Sequence, residues 1–186
     1  VSYEKVLNSD IKDHTLDYVV PEFECNSNNA GDTDTCDSWT FDSRSAEYWA
    51  LRAYAEQNTS FADTAVAQLD TWASTYVEVD GSNEPLLKSW VLYFVSMAVE
   101  LLVHNDYGFV YPSAELGRVE SYMDDIMQTK PANCWVGNNW TSASIASYQA
   151  YWIVKHGIAD NDTDRNTAVS EYKRWASYNA EILEVY

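Results

Sequence analysis

The chain has 186 residues, of which 46% are hydrophobic and 22% charged, a composition typical of one folded domain rather than of a disordered chain. Its 29 acidic residues outnumber 11 basic ones, giving a formal net charge of -18. This balance disfavours nucleic acid as a partner, because that binding depends on Lys and Arg contacts to phosphate. The sequence also contains no basic amphipathic helix of the kind that binds a membrane surface. We therefore predict neither nucleic acid nor a membrane as a partner.

The N-terminal segment 1–43 reads as irregular, with a short helix over 2–16 and a surface loop over 26–38 rich in turn-forming residues. From residue 44 onward apolar residues recur at helical spacing, and no segment alternates as a strand does. The predicted helices cover 44–57, 60–76, 84–104, 112–130, 139–155 and 163–185. We therefore predict a single all-α domain over 1–186, built as an array of antiparallel helix hairpins over 44–186.

Glycosylation motifs and cysteines favour a secreted, extracellular glycoprotein. Three Asn-X-Ser/Thr sequons predict glycans at Asn58, Asn139 and Asn161. Cys25 and Cys36 bracket a polar loop, which predicts a disulfide between them. The chain opens at Val1 without a visible signal peptide, as a mature N-terminus would after signal removal.

Cys134 is left over by this pairing. An odd cysteine in a secreted chain indicates a partner elsewhere, a free buried thiol or a missing piece of sequence. The predicted partners through Cys134 are therefore a second copy of the chain or a missing C-terminal half.

Four segments between residues 60 and 157 match the motifs of a known protein family. They are Ala67-Gln-Leu-Asp-Thr-Trp-Ala73, the opening Lys88-Ser-Trp90 of an apolar helix, the amphipathic helix 112–130, and Gly137-Asn-Asn-Trp140 at the start of the next helix. Together they resemble the N-terminal half of the alginate lyase family and its relatives with an (α/α) toroid fold. The resemblance implies a partial or complete toroid and an acidic polysaccharide or cell-wall glycan as the partner.

The resemblance also implies a chemistry. These lyases cleave beside C4 of a uronic acid by β-elimination, and asparagine amides stabilise the enolate as oxyanion-hole donors do. It assigns charge neutralisation to Asn138 and Asn139 and, on the same predicted helix, proton donation to Tyr148. Trp135 and Trp140 become platforms for sugar rings. Alginate lyases of this type carry His directly after the asparagine pair, whereas this chain has Trp140 there, as heparinase-like relatives do. The resemblance implies no metal or cofactor.

Two other interpretations of the same residues stay open. Asn138 and Asn139 also suit a helix N-cap that carries a glycan, and Trp135 and Trp140 also suit a hydrophobic core. The rival function is a non-catalytic secreted glycoprotein, structural or filament-forming, built on a lyase-like helical scaffold. The spare Cys134 and the 15% aromatic content suit that rival.

Overall fold

Four α-helices make up most of residues 10–16, 19–26 and 33–128, the part of the chain that the computed structural model describes. The elements in chain order are a 3₁₀ turn (Asp10–Asp13), β1 (Glu22–Glu24), α1 (Thr33–Glu56), α2 (Thr59–Thr75), β2 (Glu78–Asp80), α3 (Glu84–Val103) and α4 (Ser113–Gln128). α1 packs against both α2 and α3, and α4 packs mainly against α2. The prediction of a mainly helical chain is confirmed for these residues. The helices predicted over 139–155 and 163–185 lie outside them.

α1 begins at Thr33, so the prediction of irregular chain as far as residue 43 is wrong for residues 33–43. Polar side chains of the stretch 33–43 are accommodated within the helix. Ser43 Oγ, for example, donates to the backbone oxygen of Trp39 at 2.8 Å, the back-bonding by which Ser and Thr fit into helices. The same stretch buries Trp39 completely. Burial of this face therefore stabilises the helix, although several of the buried side chains are polar, namely Thr35, Ser38, Asp42 and Ser43.

The helices predicted near 60–76, 84–104 and 112–130 are confirmed as α2, α3 and α4, with ends shifted by a few residues. Their apolar positions form the core as the helical spacing predicts. The buried members include Ala65, Leu69 and Trp72 in α2, Val91, Val95 and Leu102 in α3, and Val119, Met123 and Ile126 in α4. Those of α2 and α3 meet the alanine-lined inner face of α1, and those of α4 pack mainly against α2.

The two strands were not predicted, and they correct the expectation of a purely helical chain. β1 and β2 pair in parallel, with Phe23 opposite Val79. These two side chains are buried and their neighbours on each strand are exposed. A strand of three residues contains one apolar position, too few for an alternating pattern to be recognised in the sequence.

The predicted disulfide between Cys25 and Cys36 is confirmed. It links the end of β1 to the first turns of α1, and both cysteines are buried. Cys25 O also accepts from Asn83 N at 2.9 Å. The disulfide therefore fixes the start of α1 beside the start of α3.

Replacing both cysteines by alanine should lower the free energy of unfolding by about 3 kcal/mol, because the sequence separation of 11 sets the loop entropy that the cross-link removes from the unfolded chain. Urea unfolding with and without reductant measures this. Reductant should weaken the wild type and leave the double variant unchanged. Equal stability of the two proteins without reductant would contradict the expected contribution.

α3 is unusual in its apolar content. Its segment Leu86–Val103 is long and apolar enough to cross a membrane by length and composition, and half of it is buried inside the domain. Core helices of soluble proteins share these properties, and the packing of α3 along α1 indicates a core helix here. Its outer face carries Trp90 and Tyr93, which are 41% and 36% exposed. This pair, one helical turn apart, is named the α3 aromatic face.

Candidate functional site

The residues predicted to form the lyase site lie outside the part of the chain that the structure describes. This holds for Asn138, Asn139, Tyr148, Trp135 and Trp140. The sequon asparagine Asn161 and the third cysteine, Cys134, also lie outside it. Their roles stay predictions, and the structure brings together a different group of polar and aromatic side chains.

That group is centred on Asp42, a completely buried carboxylate on α1. Its Oδ1 lies 2.5 Å from His14 Nε2, and its Oδ2 accepts from Trp72 Nε1 at 2.7 Å. A carboxylate oxygen accepts hydrogen bonds, so His14 Nε2 and Trp72 Nε1 are the donors in these two contacts. Asp42 thereby joins the segment 10–16, α1 and α2 through one side chain. We call His14, Asp42 and Trp72 the Asp42 network.

A second buried polar contact lies beside the first. Trp39 Nε1 donates to the hydroxyl of Tyr122 at 2.6 Å, which ties α1 to α4. Burial raises the pKa of Tyr122 well above its ordinary value, so this phenol stays protonated. Trp39 also stacks on Tyr76, with ring centroids 5.7 Å apart. Because the indole N–H groups of Trp39 and Trp72 are both bound inside the core, these two tryptophans are structural and are not sugar platforms.

His14 is the member of the Asp42 network that reaches the surface, with its side chain 20% exposed. Its ring centroid lies 6.0 Å from that of Phe41, itself 46% exposed. An imidazole held by a buried carboxylate has a fixed orientation, which suits either proton transfer or anchoring of a segment. His14 joins the segment 10–16 to α1 through Asp42, so this contact anchors the segment.

Glu47, also on α1, has a strongly shifted pKa. Burial raises it to about 7 from an ordinary 4.5, and the charge of Arg44 opposes the shift. The folded protein therefore holds this proton to a higher pH than the unfolded chain does. The stability linked to Glu47 is fully present below the unfolded pKa and is lost as pH rises through about 7.

Replacing Glu47 with glutamine should remove that loss. At about pH 8 the variant should be more stable than the wild type by about 3 kcal/mol, and at about pH 4 the two should agree, since each unit of pKa difference corresponds to ~1.4 kcal/mol. Urea unfolding at both pH values measures the difference. Glu120→Gln, which changes an exposed acid on α4, is the control and should show no such pH-dependent gain. A gain of the same size at both pH values would contradict the burial explanation.

Three further aromatic rings lie near the end of α1 around Arg52. The guanidinium lies over the rings of Phe61, Trp49 and Tyr48, with its carbon 4.0, 5.3 and 5.9 Å from their centroids. Its Nε donates to Glu56 at 2.7 Å. A cation of this chain therefore covers these aromatic faces, in the geometry of a cation–π contact.

The exposed side of the two-stranded sheet forms an acidic cleft of about 340 Å³. Glu22 lies opposite Glu78 and Glu24 opposite Asp80 in the strand register. Like charges directly opposite each other weaken a strand pair. Among the residues that the structure describes, no three His, Cys, Asp or Glu side chains are placed to hold a metal ion. This cleft has the wrong charge for a polyuronate and is not the predicted glycan site.

Comparison of the chain with family models, curated proteins and solved structures finds no match in any of the three. The resemblance to alginate lyases therefore stays a prediction that rests on the motif residues alone.

Proposed function

We propose that this chain is a secreted polysaccharide-lyase-like domain that binds uronate-containing glycans and cleaves them by β-elimination. The observation that carries the proposal is the segment Gly137-Asn-Asn-Trp140, at the predicted start of a helix. Two amide side chains beside a helix N-terminus favour negative charge, which is what the substrate carboxylate and the developing enolate present. The proposed roles are charge neutralisation by Asn138 and Asn139, proton donation by Tyr148, and sugar stacking by Trp135 and Trp140.

Two features of the described residues support this proposal. α1 and α2, which are joined by a two-residue connection, pack against each other as a helix hairpin, and such hairpins are the units of the (α/α) toroid that we propose, partial or complete. The disulfide between Cys25 and Cys36 is compatible with a secreted protein, since disulfides persist in oxidising compartments. The interior roles of Trp39 and Trp72 leave sugar stacking to tryptophans elsewhere in the chain.

The net charge of the chain affects its affinity for a polyuronate. A protein with a net charge of -18 repels a polyuronate at long range. Salt shortens that repulsion, because the Debye length falls from about 30 Å at ~0.01 M to about 10 Å at ~0.1 M. Affinity for a polyuronate is therefore expected to rise over this range, and not to fall as it does for a basic protein.

Affinity electrophoresis in gels that contain alginate, glucuronan or a neutral glucan tests the binding part of the proposal. The wild type should be retarded by a polyuronate and not by the neutral glucan. Asn138→Ala and Trp140→Ala should each lose the retardation. Asn161→Gln, which removes another sequon asparagine, is the matched control and should keep it. Equal migration in all gels would overturn glycan binding.

The α3 aromatic face favours a second candidate function, a non-catalytic secreted glycoprotein that assembles into a structural or filament-forming polymer. Trp90 and Tyr93 are exposed on a helix that is otherwise mostly apolar and packed in the core. Exposed aromatic side chains of this kind are enriched at protein–protein interfaces. In this proposal the face packs against a second copy of the chain, and Cys134 covalently links copies.

Light scattering after size-exclusion chromatography distinguishes the second candidate. An assembled wild type that becomes monomeric on Trp90→Glu with Tyr93→Glu would support assembly through the α3 aromatic face. A wild type that is monomeric over a wide concentration range would reject it. Glycopeptide mapping gives an independent criterion, because full glycan occupancy of Asn139 removes that side chain from the lyase site and favours the structural function.

A further inference from the structure

Asn58 is the sequon asparagine that lies within the described part of the chain. Together with Gln57 it forms the connection between α1 and α2. Gln57 has a left-handed backbone, with φ of 52°, which turns the chain sharply at the end of α1. The sequon Asn58-Thr59-Ser60 therefore lies at the tip of a helix hairpin, where the chain faces solvent.

The side chain of Asn58 caps α2. Its backbone is extended, with φ of -119° and ψ of 110°, and its Oδ1 accepts from the backbone N–H of Ser60 at 3.0 Å. This is the usual N-cap arrangement, in which a side-chain oxygen satisfies an unpaired amide of the first turn. Because only oxygen can accept this proton, the orientation of the side-chain amide is fixed and Nδ2 points away from the cap.

We propose that Asn58 carries an N-linked glycan on Nδ2 while its Oδ1 continues to cap α2. Nδ2 makes no hydrogen bond to the described part of the chain, and the cap uses only the oxygen. The inference rests on the secretory route included in the proposed function, and it is independent of lyase activity.

The chemistry leaves the cap intact. In the transfer, a bond forms between Nδ2 and C1 of the sugar as the bond from C1 to the diphosphate of a lipid-linked oligosaccharide breaks. Nδ2 loses one proton, and the lipid diphosphate leaves. The product is a secondary amide whose oxygen keeps both lone pairs, so the acceptor required by Ser60 N remains.

The surroundings leave space for a glycan. Glu56, Gln57, Thr59 and Ser60 are exposed, and Asn58 itself is partly exposed. The glycan therefore extends into solvent from the hairpin tip without displacing a packed side chain.

Two substitutions separate the glycan from the cap. Asn58→Asp keeps an acceptor oxygen at a position where aspartate is favoured, and it lacks the nitrogen that carries the sugar. Thr59→Pro blocks the sequon, and proline suits both the first position of α2 and the extended backbone of Asn58 before it. Asn58→Ala removes both functions and should lower the folding equilibrium constant by about fivefold in the deglycosylated protein, whereas the other two variants should stay near the wild type.

The test is to secrete the full chain from a eukaryotic host and to map occupied asparagines by mass spectrometry after a glycosidase that converts glycosylated asparagine to aspartate. The expected result is conversion at Asn58 and the loss of one glycan in both Asn58→Asp and Thr59→Pro. An unmodified Asn58 in the secreted wild type overturns the proposal, whether the other two sequons are occupied or not. A polyuronate cleavage assay on the same samples reports separately on the proposed function.

Discussion

Replacing Asp42 with leucine should lower the free energy of unfolding by about 4 kcal/mol, because two hydrogen bonds to a buried carboxylate are lost and each contributes ~1.5–3 kcal/mol. Leucine has a similar size and no acceptor. The substitution leaves the indole N–H of Trp72 buried without its acceptor and releases His14 from α1. Urea unfolding followed by tryptophan fluorescence measures the loss.

Asp37→Leu is the matched control, because Asp37 is an exposed aspartate on the same helix. It should change the stability by no more than about 0.5 kcal/mol, as surface substitutions usually do. The segment 10–16 should also become susceptible to proteases in Asp42→Leu and not in the control, because His14 loses the contact that holds it. Equal stability of the two variants would contradict the claim that the Asp42 network stabilises the fold.

Replacing Gly81 with alanine should also cost about 4 kcal/mol, from backbone strain and steric overlap together. Gly81 has φ of 108°, a region that side chains other than glycine rarely adopt. A Cβ there would overlap the backbone oxygen of Cys25 and would lie 2.7 Å from its carbonyl carbon and 2.9 Å from its nitrogen. The Cys25 backbone cannot move away easily, since the disulfide and the hydrogen bond to Asn83 N fix it.

Gly108→Ala separates the two contributions. Gly108 also has a positive φ, 81°, but a Cβ there would meet no atom within 4 Å. This control should therefore lose only the strain, about 1 kcal/mol. Thermal and urea unfolding of both variants measure the difference, and similar losses for the two would contradict the close approach of Gly81 to Cys25.

The sequence predicted the helices whose apolar residues recur at helical spacing, and it failed where polar side chains occupy a helix. α2, α3 and α4 each bury a continuous stripe, so periodicity identified them. The first turns of α1 hold Asp, Ser and Thr residues, which favour turns in isolation. Contacts distant in sequence decide their helical state, such as the disulfide from Cys36 to Cys25 and the burial of Trp39 against Phe23.

The Asp42 network was not predicted for a related reason. In the sequence, Asp42 and Ser43 look like the N-cap of a helix, because Asp and Ser are favoured at that position. Its partners His14 and Trp72 lie 28 and 30 residues away, a separation at which a single sequence carries no pairing signal. A usable hint was present: Asp42 lies three residues after Trp39 and four before Ala46, on the face of α1 that is buried. An acid on a buried helix face needs a partner inside the core.

The proposed lyase function depends on Asn138, and its most direct test is the release of ultraviolet-absorbing unsaturated uronates from polyuronates. Wild type and Asn138→Ala, with Asn161→Gln as the control, are incubated with alginate and with glucuronan. The wild type and the control should release product steadily, and Asn138→Ala should lose at least about 100-fold, as expected when one oxyanion donor is removed. Absence of release by the wild type from every polyuronate, or unchanged release by Asn138→Ala, would contradict the proposed lyase function.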